Sequence, residues 1–154
     1  MFNKMKSLKA LNIIHKAMLT GLVLLSAVFF YIVYAKLLVS PLVEMDRIFQ
    51  VIAIVLAASG FLAGLSFFKK RLIQIKEMQS GVKQKFALYR SACIIQWALL
   101  EGPCIFSLVS FFLIGNYAFL ALAGGLIILF ALQAPSKDKI VLQLGISGDE
   151  LDNL

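Results

Sequence analysis

The stretch YRSACIIQWALLEGPCIF, residues 89–106, reads as lipid-soluble helix up to Glu101, where an acid, a glycine and a proline arrive together. A chain of 154 residues that is 61% hydrophobic has too much apolar surface to hide in one small soluble core. Four runs are long enough to cross about 30 Å of hydrocarbon as helices. They cover roughly Ala17 to Ala35, Ile48 to Phe68, Cys93 to Ile114 and Tyr117 to Ala134. None shows the period-2 alternation of a membrane barrel strand. The expected fold is all-α: an integral membrane four-helix bundle forming a single membrane domain over 1–154. Its helices are expected over about 8–36, 46–79, 82–114 and 117–134, followed by a tail, 135–154, that holds a short amphipathic helix.

Charge orients these spans. Lys4, Lys6, Lys9 and Lys16 precede the first, and Lys69, Lys70, Arg71, Lys76, Lys83, Lys85 and Arg90 stand between the second and third against Glu77 alone. Positively charged flanks stay in the cytoplasm, so both termini are expected inside, in a multi-pass protein of the bacterial inner (plasma) membrane. The net charge of +7 follows from this retention signal. Its expected partner is anionic lipid headgroup, not nucleic acid.

The chain also matches itself. IIHKAMLTGLVLLSAVFF (13–30) lies over IIQWALLEGPCIFSLVSF (94–111), pairing Gly21 with Gly102 and Ser26 with Ser107. LAASG (56–60) lies more weakly over LALAG (120–124). Two repeated hairpins related by an axis along the membrane normal are expected, which sets Thr20 opposite Glu101.

Helical spacing puts Cys93, Gln96, Trp97, Glu101, Cys104 and Ser107 on one side of span 3 and turns Ile94, Ile95 and Ile105 elsewhere. The candidate intramembrane polar site is therefore Glu101 with Thr20, Gln96, Trp97, Ser26 and Ser107. At that depth a carboxyl is expected to be neutral and hydrogen-bonded. Gly102 and Pro103 are expected to kink the helix and free the carbonyl of Leu99. Gly60 and Gly64 form a GxxxG step, and with Gly124 and Gly125 they are expected to pack helices closely. Ser80-Gly81 is expected to turn a helical hairpin, with Gly81 in a conformation that β-branched residues resist, although a helix lying flat on the headgroups needs the same basic residues. In the tail, Ser136 caps a helix with Ile140, Val141 and Leu144 on its apolar stripe, and the acidic end reads first as solvated and second as docked on the basic hairpin.

Catalytic chemistry is sparse. No HExxH, CxxC, P-loop, GxSxG or glycine-rich dinucleotide pattern occurs, so no metal or cofactor is expected and an enzyme is not. The one histidine, His15, reads as interfacial. Cys93 and Cys104 lie about 16 Å apart along one helix, cannot bridge, and read as buried apolar thiols. YRSACIIQWALLEGP, the GNY turn and APSKDKIVLQL resemble a family of small uncharacterised four-span bacterial membrane proteins. That resemblance implies the architecture and no activity. The expected role is a packing or accessory component, as a homo-oligomer or in a larger membrane complex; the alternative is a small proton- or cation-coupled carrier using Glu101.

Overall fold

The computed structural model describes residues 6–37 and 41–152; Lys4, read above as part of the first basic segment, lies outside them. Among the described residues there are helices and no strand: α1 (Lys6–Tyr34), a 3₁₀ turn (Val43–Met45), α2 (Asp46–Glu77), α3 (Val82–Ile114), α4 (Tyr117–Leu132), α5 (Lys137–Leu144) and α6 (Gly148–Asp152). Three of these helices are long and apolar enough to cross a membrane, or four if α4 and α5, bent by 73° at their junction, count as one span. At 16 residues, α4 alone measures about 24 Å.

Helix α3 is the hub, packed on α2, α4 and α1. Its buried residues run from Phe86 and Tyr89 through Cys93, Trp97, Leu100 and Cys104 to Leu108, Phe111 and Ile114. Helix α1 reaches it through a seam spaced alternately by three and four, Leu8, Leu11, His15, Met18, Leu22, Leu25 and Phe29, which belong to or border the core, while Ile13, Leu24 and Tyr31 face outward. That spacing is the coiled-coil period, and it keeps one stripe of a long helix on its neighbours. Helices α1 and α2 share no face comparable with that between α3 and α4, so the two sequence repeats do not pack as like hairpins.

Helix α2 meets α3 through small residues. At Gly60 the position of a Cβ falls on the carbonyl oxygen of Leu99 and 2.8 Å from Pro103 Cγ. Pro103 has no N–H to give to Leu99, so the orphaned carbonyl is covered by a helix backbone that only glycine lets come so near. The α-hydrogen of Gly60 in that direction points at the oxygen, a weak C–H···O contact. α3 runs as α-helix through Gly102 and Pro103 without a break. One turn on, a Cβ at Gly64 meets Gln96 and Leu99 at 3.5–3.7 Å, ordinary contact. Gly124 and Gly125 have nothing within 4 Å where a Cβ would stand, so these two do not pack helices closely.

The α2–α3 connection is a helical hairpin, with only Met78–Gly81 between two continuous helices. Gly81, at φ −62° and ψ 154°, is the N-cap of α3 in a conformation open to any residue, which corrects the expectation that the turn needs glycine there. Its carbonyl accepts from Gln84 N and Lys85 N, and Lys85 Nζ donates back to the Lys76 carbonyl near the end of α2. Between α3 and α4 two residues suffice. Gly115, at φ 79°, closes α3 with its N–H on Phe111 O, and the Asn116 side chain caps α4 at Ala118 N. The tail folds back on the bundle instead of trailing in solvent: Ser136 caps α5, Ile140 and Leu144 are buried, and Tyr89 Oη donates to Gln143 at 2.7 Å.

Gly60→Ala should therefore lower stability by about 1–3 kcal/mol through backbone overpacking, whereas Gly64→Ala should be neutral or better because alanine favours the helix. Thermal unfolding of the two variants in detergent micelles checks the contrast. Gly81→Val should stay within about 0.5 kcal/mol of the parent in the same assay, as an exposed position without backbone strain.

Candidate functional site

The polar side of α3 comes out as its spacing predicts, except at its acid and at Ile94, which is part-buried and packs against the core instead of turning away from it. Cys93, Gln96, Trp97, Cys104 and Ser107 are buried, and Ile95 and Ile105 are exposed. Glu101 is only part-buried and makes no hydrogen bond or ion pair among the described residues. Thr20 is exposed and does not meet it, and Trp97 and Gln96 make no bond to it. Ser26 and Ser107 are satisfied locally, donating to Leu22 O at 2.7 Å and Pro103 O at 2.9 Å on their own helices. Ser91 and Ser110 make the same four-back bond, so this match is no signature of the repeat. The hydrogen-bonded acid set expected around Glu101 is thus not assembled among the described residues.

What the structure assembles instead is a cluster around His15. The ring is 2% exposed, stacks on Phe130 with centroids 4.9 Å apart, and meets Trp97 edge-on at 4.8 Å. Its Nε2 lies 3.0 Å from the Phe130 carbonyl in the last turn of α4. A carbonyl only accepts, so Nε2 carries the proton and the histidine caps α4 from α1. His15 is therefore a core residue, not an interfacial one. Its place in the three-four seam of α1 is the sequence signal that was available, and polarity next to Lys16 concealed it. Cys104 makes a second tie to α4, its thiol 3.7 Å from the Ala123 carbonyl. Both cysteines are free and buried, as expected.

A cavity of about 340 Å³ opens near this cluster, where α2 and α3 meet α5. Leu65, Phe68 and Leu72 line its apolar side, and Gln96, Trp97 and Gln133 its inner polar side. Lys69, Lys139, Tyr89, Cys93 and Gln143 complete it, without a carboxylate. Gln96 is 7% exposed and makes no hydrogen bond, the Trp97 indole N–H has no acceptor, and Gln133 Oε1 is buried without a donor. Lys139 Nζ donates to the Leu132 carbonyl at 3.3 Å and so caps α4 as well.

At the opposite end Asp46, the first residue of α2, accepts twice from Asn116 Nδ2, at 3.0 and 2.9 Å, and once from Gln50 Nε2 at 3.0 Å. The negative charge sits at a helix N-terminus, where the helix dipole favours it. This ties the start of α2 to the α3–α4 turn. Among the described residues no group of three His, Cys, Asp or Glu side chains could hold a metal ion.

No protein-family model, curated protein or solved structure matches this chain.

A double-mutant cycle on Asp46→Ala and Asn116→Ala should give a coupling of about 1 kcal/mol, less than a fully buried charged pair because the network is part-exposed. Chemical unfolding of the four proteins in one detergent measures it. His15→Leu should cost about 1–3 kcal/mol by removing the cap and the stacked ring, read in the same way.

Proposed function

We propose that this chain is a multi-pass integral membrane protein of the bacterial plasma membrane that acts by assembling, with copies of itself or as an accessory subunit of a larger complex, and not by catalysis. The observation that carries this is Glu101. A carboxyl at membrane depth costs at least a few kcal/mol and calls for a partner, yet none of the described residues supplies one. A group presented at the edge of the central helix, part-open to its surroundings, is placed to receive a donor from another chain. Carrier chemistry through Glu101 has less support, because four cavities among the described residues have other side chains in their walls.

The architecture in this reading is a four-span bundle with α4 as its short last span, both termini cytoplasmic, and the α2–α3 hairpin projecting on the basic side. Parallel repeated hairpins remain a proposal from the sequence offset; the different partners of α1 and α3 mean that any duplication has diverged in packing. The resemblance of YRSACIIQWALLEGP, the GNY turn and APSKDKIVLQL to small four-span bacterial membrane proteins supports the same architecture.

Mass measurement in mild detergent tests assembly. The wild type should run as a multiple of its 17.0 kDa chain or with a partner. Glu101→Gln, which keeps shape and hydrogen bonding, should preserve that mass, and Glu101→Leu should release monomer. A wild type that is monomeric both in mild detergent and in lipid nanodiscs sinks the proposal. For orientation, Gln79→Cys, exposed in the hairpin turn, should label from the cytoplasm alone, and Glu44→Cys, exposed at the other end, from outside alone.

A further inference from the structure

The basic-end cavity does not stand alone. Helices α2 and α4 both pack on α3 but touch each other only lightly, leaving a cleft between them. One part of this cleft, about 470 Å³, is lined by Ala57, Ala58 and Phe61 of α2 and Ala121, Gly125 and Leu129 of α4. A second part lies toward the opposite end, along Ala53, Ile54 and Phe119. On α2 the cleft leads to Leu65, Phe68 and Lys69 of the polar cavity. Ala57 stands about 18 Å along the helix axis from Lys69, close to the thickness of one bilayer leaflet, about 15 Å of hydrocarbon.

The geometry points to a binding site for one phospholipid with an anionic headgroup: phosphate in the cavity at Lys69 and Lys139, one acyl chain in the α2–α4 cleft. Several observations converge on it. The cavity walls carry two lysines and no acid, so the charge complement is an anion. Gln96 and the Trp97 indole line the cavity and offer donors that no protein group uses, so they are available to a ligand there. The buried Gln133 oxygen is an acceptor suited to a headgroup hydroxyl. The cleft is walled by alanines and a glycine that leave room for a chain, and Gly125 has open space where a side chain would stand. A soluble phosphate ester would use the same lysines and amides but would leave the apolar cleft uncovered. This inference rests on the membrane placement proposed above and not on assembly.

Trp97 is the sole tryptophan and lines the cavity, so its emission reports occupancy. The purified full chain in detergent is titrated with phosphatidylglycerol brominated near the glycerol end of its chains, with the matching phosphatidylcholine, and with glycerol phosphate and inorganic phosphate. Brominated phosphatidylglycerol should quench at a mole fraction about tenfold or more below that of phosphatidylcholine, the scale of two lysines near a headgroup. The double variant Lys69→Gln, Lys139→Gln should remove that preference, and Ala121→Phe, on an exposed face of α4, should weaken quenching by both lipids. Equal quenching by the two lipids, or an unchanged preference in the lysine variant, overturns the site. Emission changes with glycerol phosphate or inorganic phosphate but none with brominated lipid would assign it to a soluble anion and overturn the lipid. If the lysine variant fails to fold, the wild-type preference and Ala121→Phe still decide. Failure of the membrane placement shows separately, as a chain recovered without detergent.

Discussion

The bundle depends on how α3 manages a proline in its middle. Pro103 gives no hydrogen bond to the Leu99 carbonyl, and in an apolar surrounding a bare carbonyl is costly. Helix α2 answers it with Gly60, whose missing side chain lets one helix backbone lie against the other. This pins the register of α2 on α3. With α2 held there and α4 held by the Cys104 thiol and the two-residue Gly115-Asn116 turn, α2 and α4 flank α3 without closing on each other. The cleft and the cavity at its basic end follow from that arrangement.

Around this hub the ends of helices are satisfied by side chains from distant elements. His15 and Lys139 cap the end of α4 at Phe130 and Leu132, one from α1 and one from α5. Asn116 and Gln50 hold Asp46 at the start of α2, and the Leu113 carbonyl accepts from Leu42 N in the loop before it. The bonds to the Leu132 and Leu113 carbonyls serve acceptors that a helix C-terminus leaves behind, and those to Asp46 fix a carboxylate at a helix N-terminus. In an apolar medium those groups have no water to fall back on, so the caps also decide which helices sit side by side.

Glu101 and the cavity residues hold unspent polarity at two different depths of the bundle. Glu101 lies about 7–8 Å along α3 beyond Gln96, deeper than the lysine-lined cavity. The two make different demands: an acid at the bundle's edge calls for a donor, and a basic pocket with free amides calls for an anion. A protein that contacts lipid on one side and a protein partner on another would present these two faces.

Much of this was legible in the sequence, because its signals are local or periodic. Apolar length set the spans, the three-four spacing of α3 set most of its buried side, Ser136 marked a helix end through cap chemistry that needs only neighbouring residues, and the GNY stretch marked a turn. The same local reasoning misjudged positions whose role depends on a distant segment. Gly60 and Gly125 look alike in the sequence, yet one meets the Leu99 carbonyl and the other faces an open cleft. His15 looked interfacial until Phe130, 115 residues away, supplied an acceptor. The acid's intended partner Thr20 faces outward, because the repeat aligns sequences while packing is set by whichever helix α3 holds. Composition and periodicity alone determined that the chain is helical and suited to a bilayer, since each helix satisfies its own backbone. Which polar groups found partners and which did not was decided only by tertiary structure, because a hydrogen bond between helices needs two surfaces brought within about 3 Å.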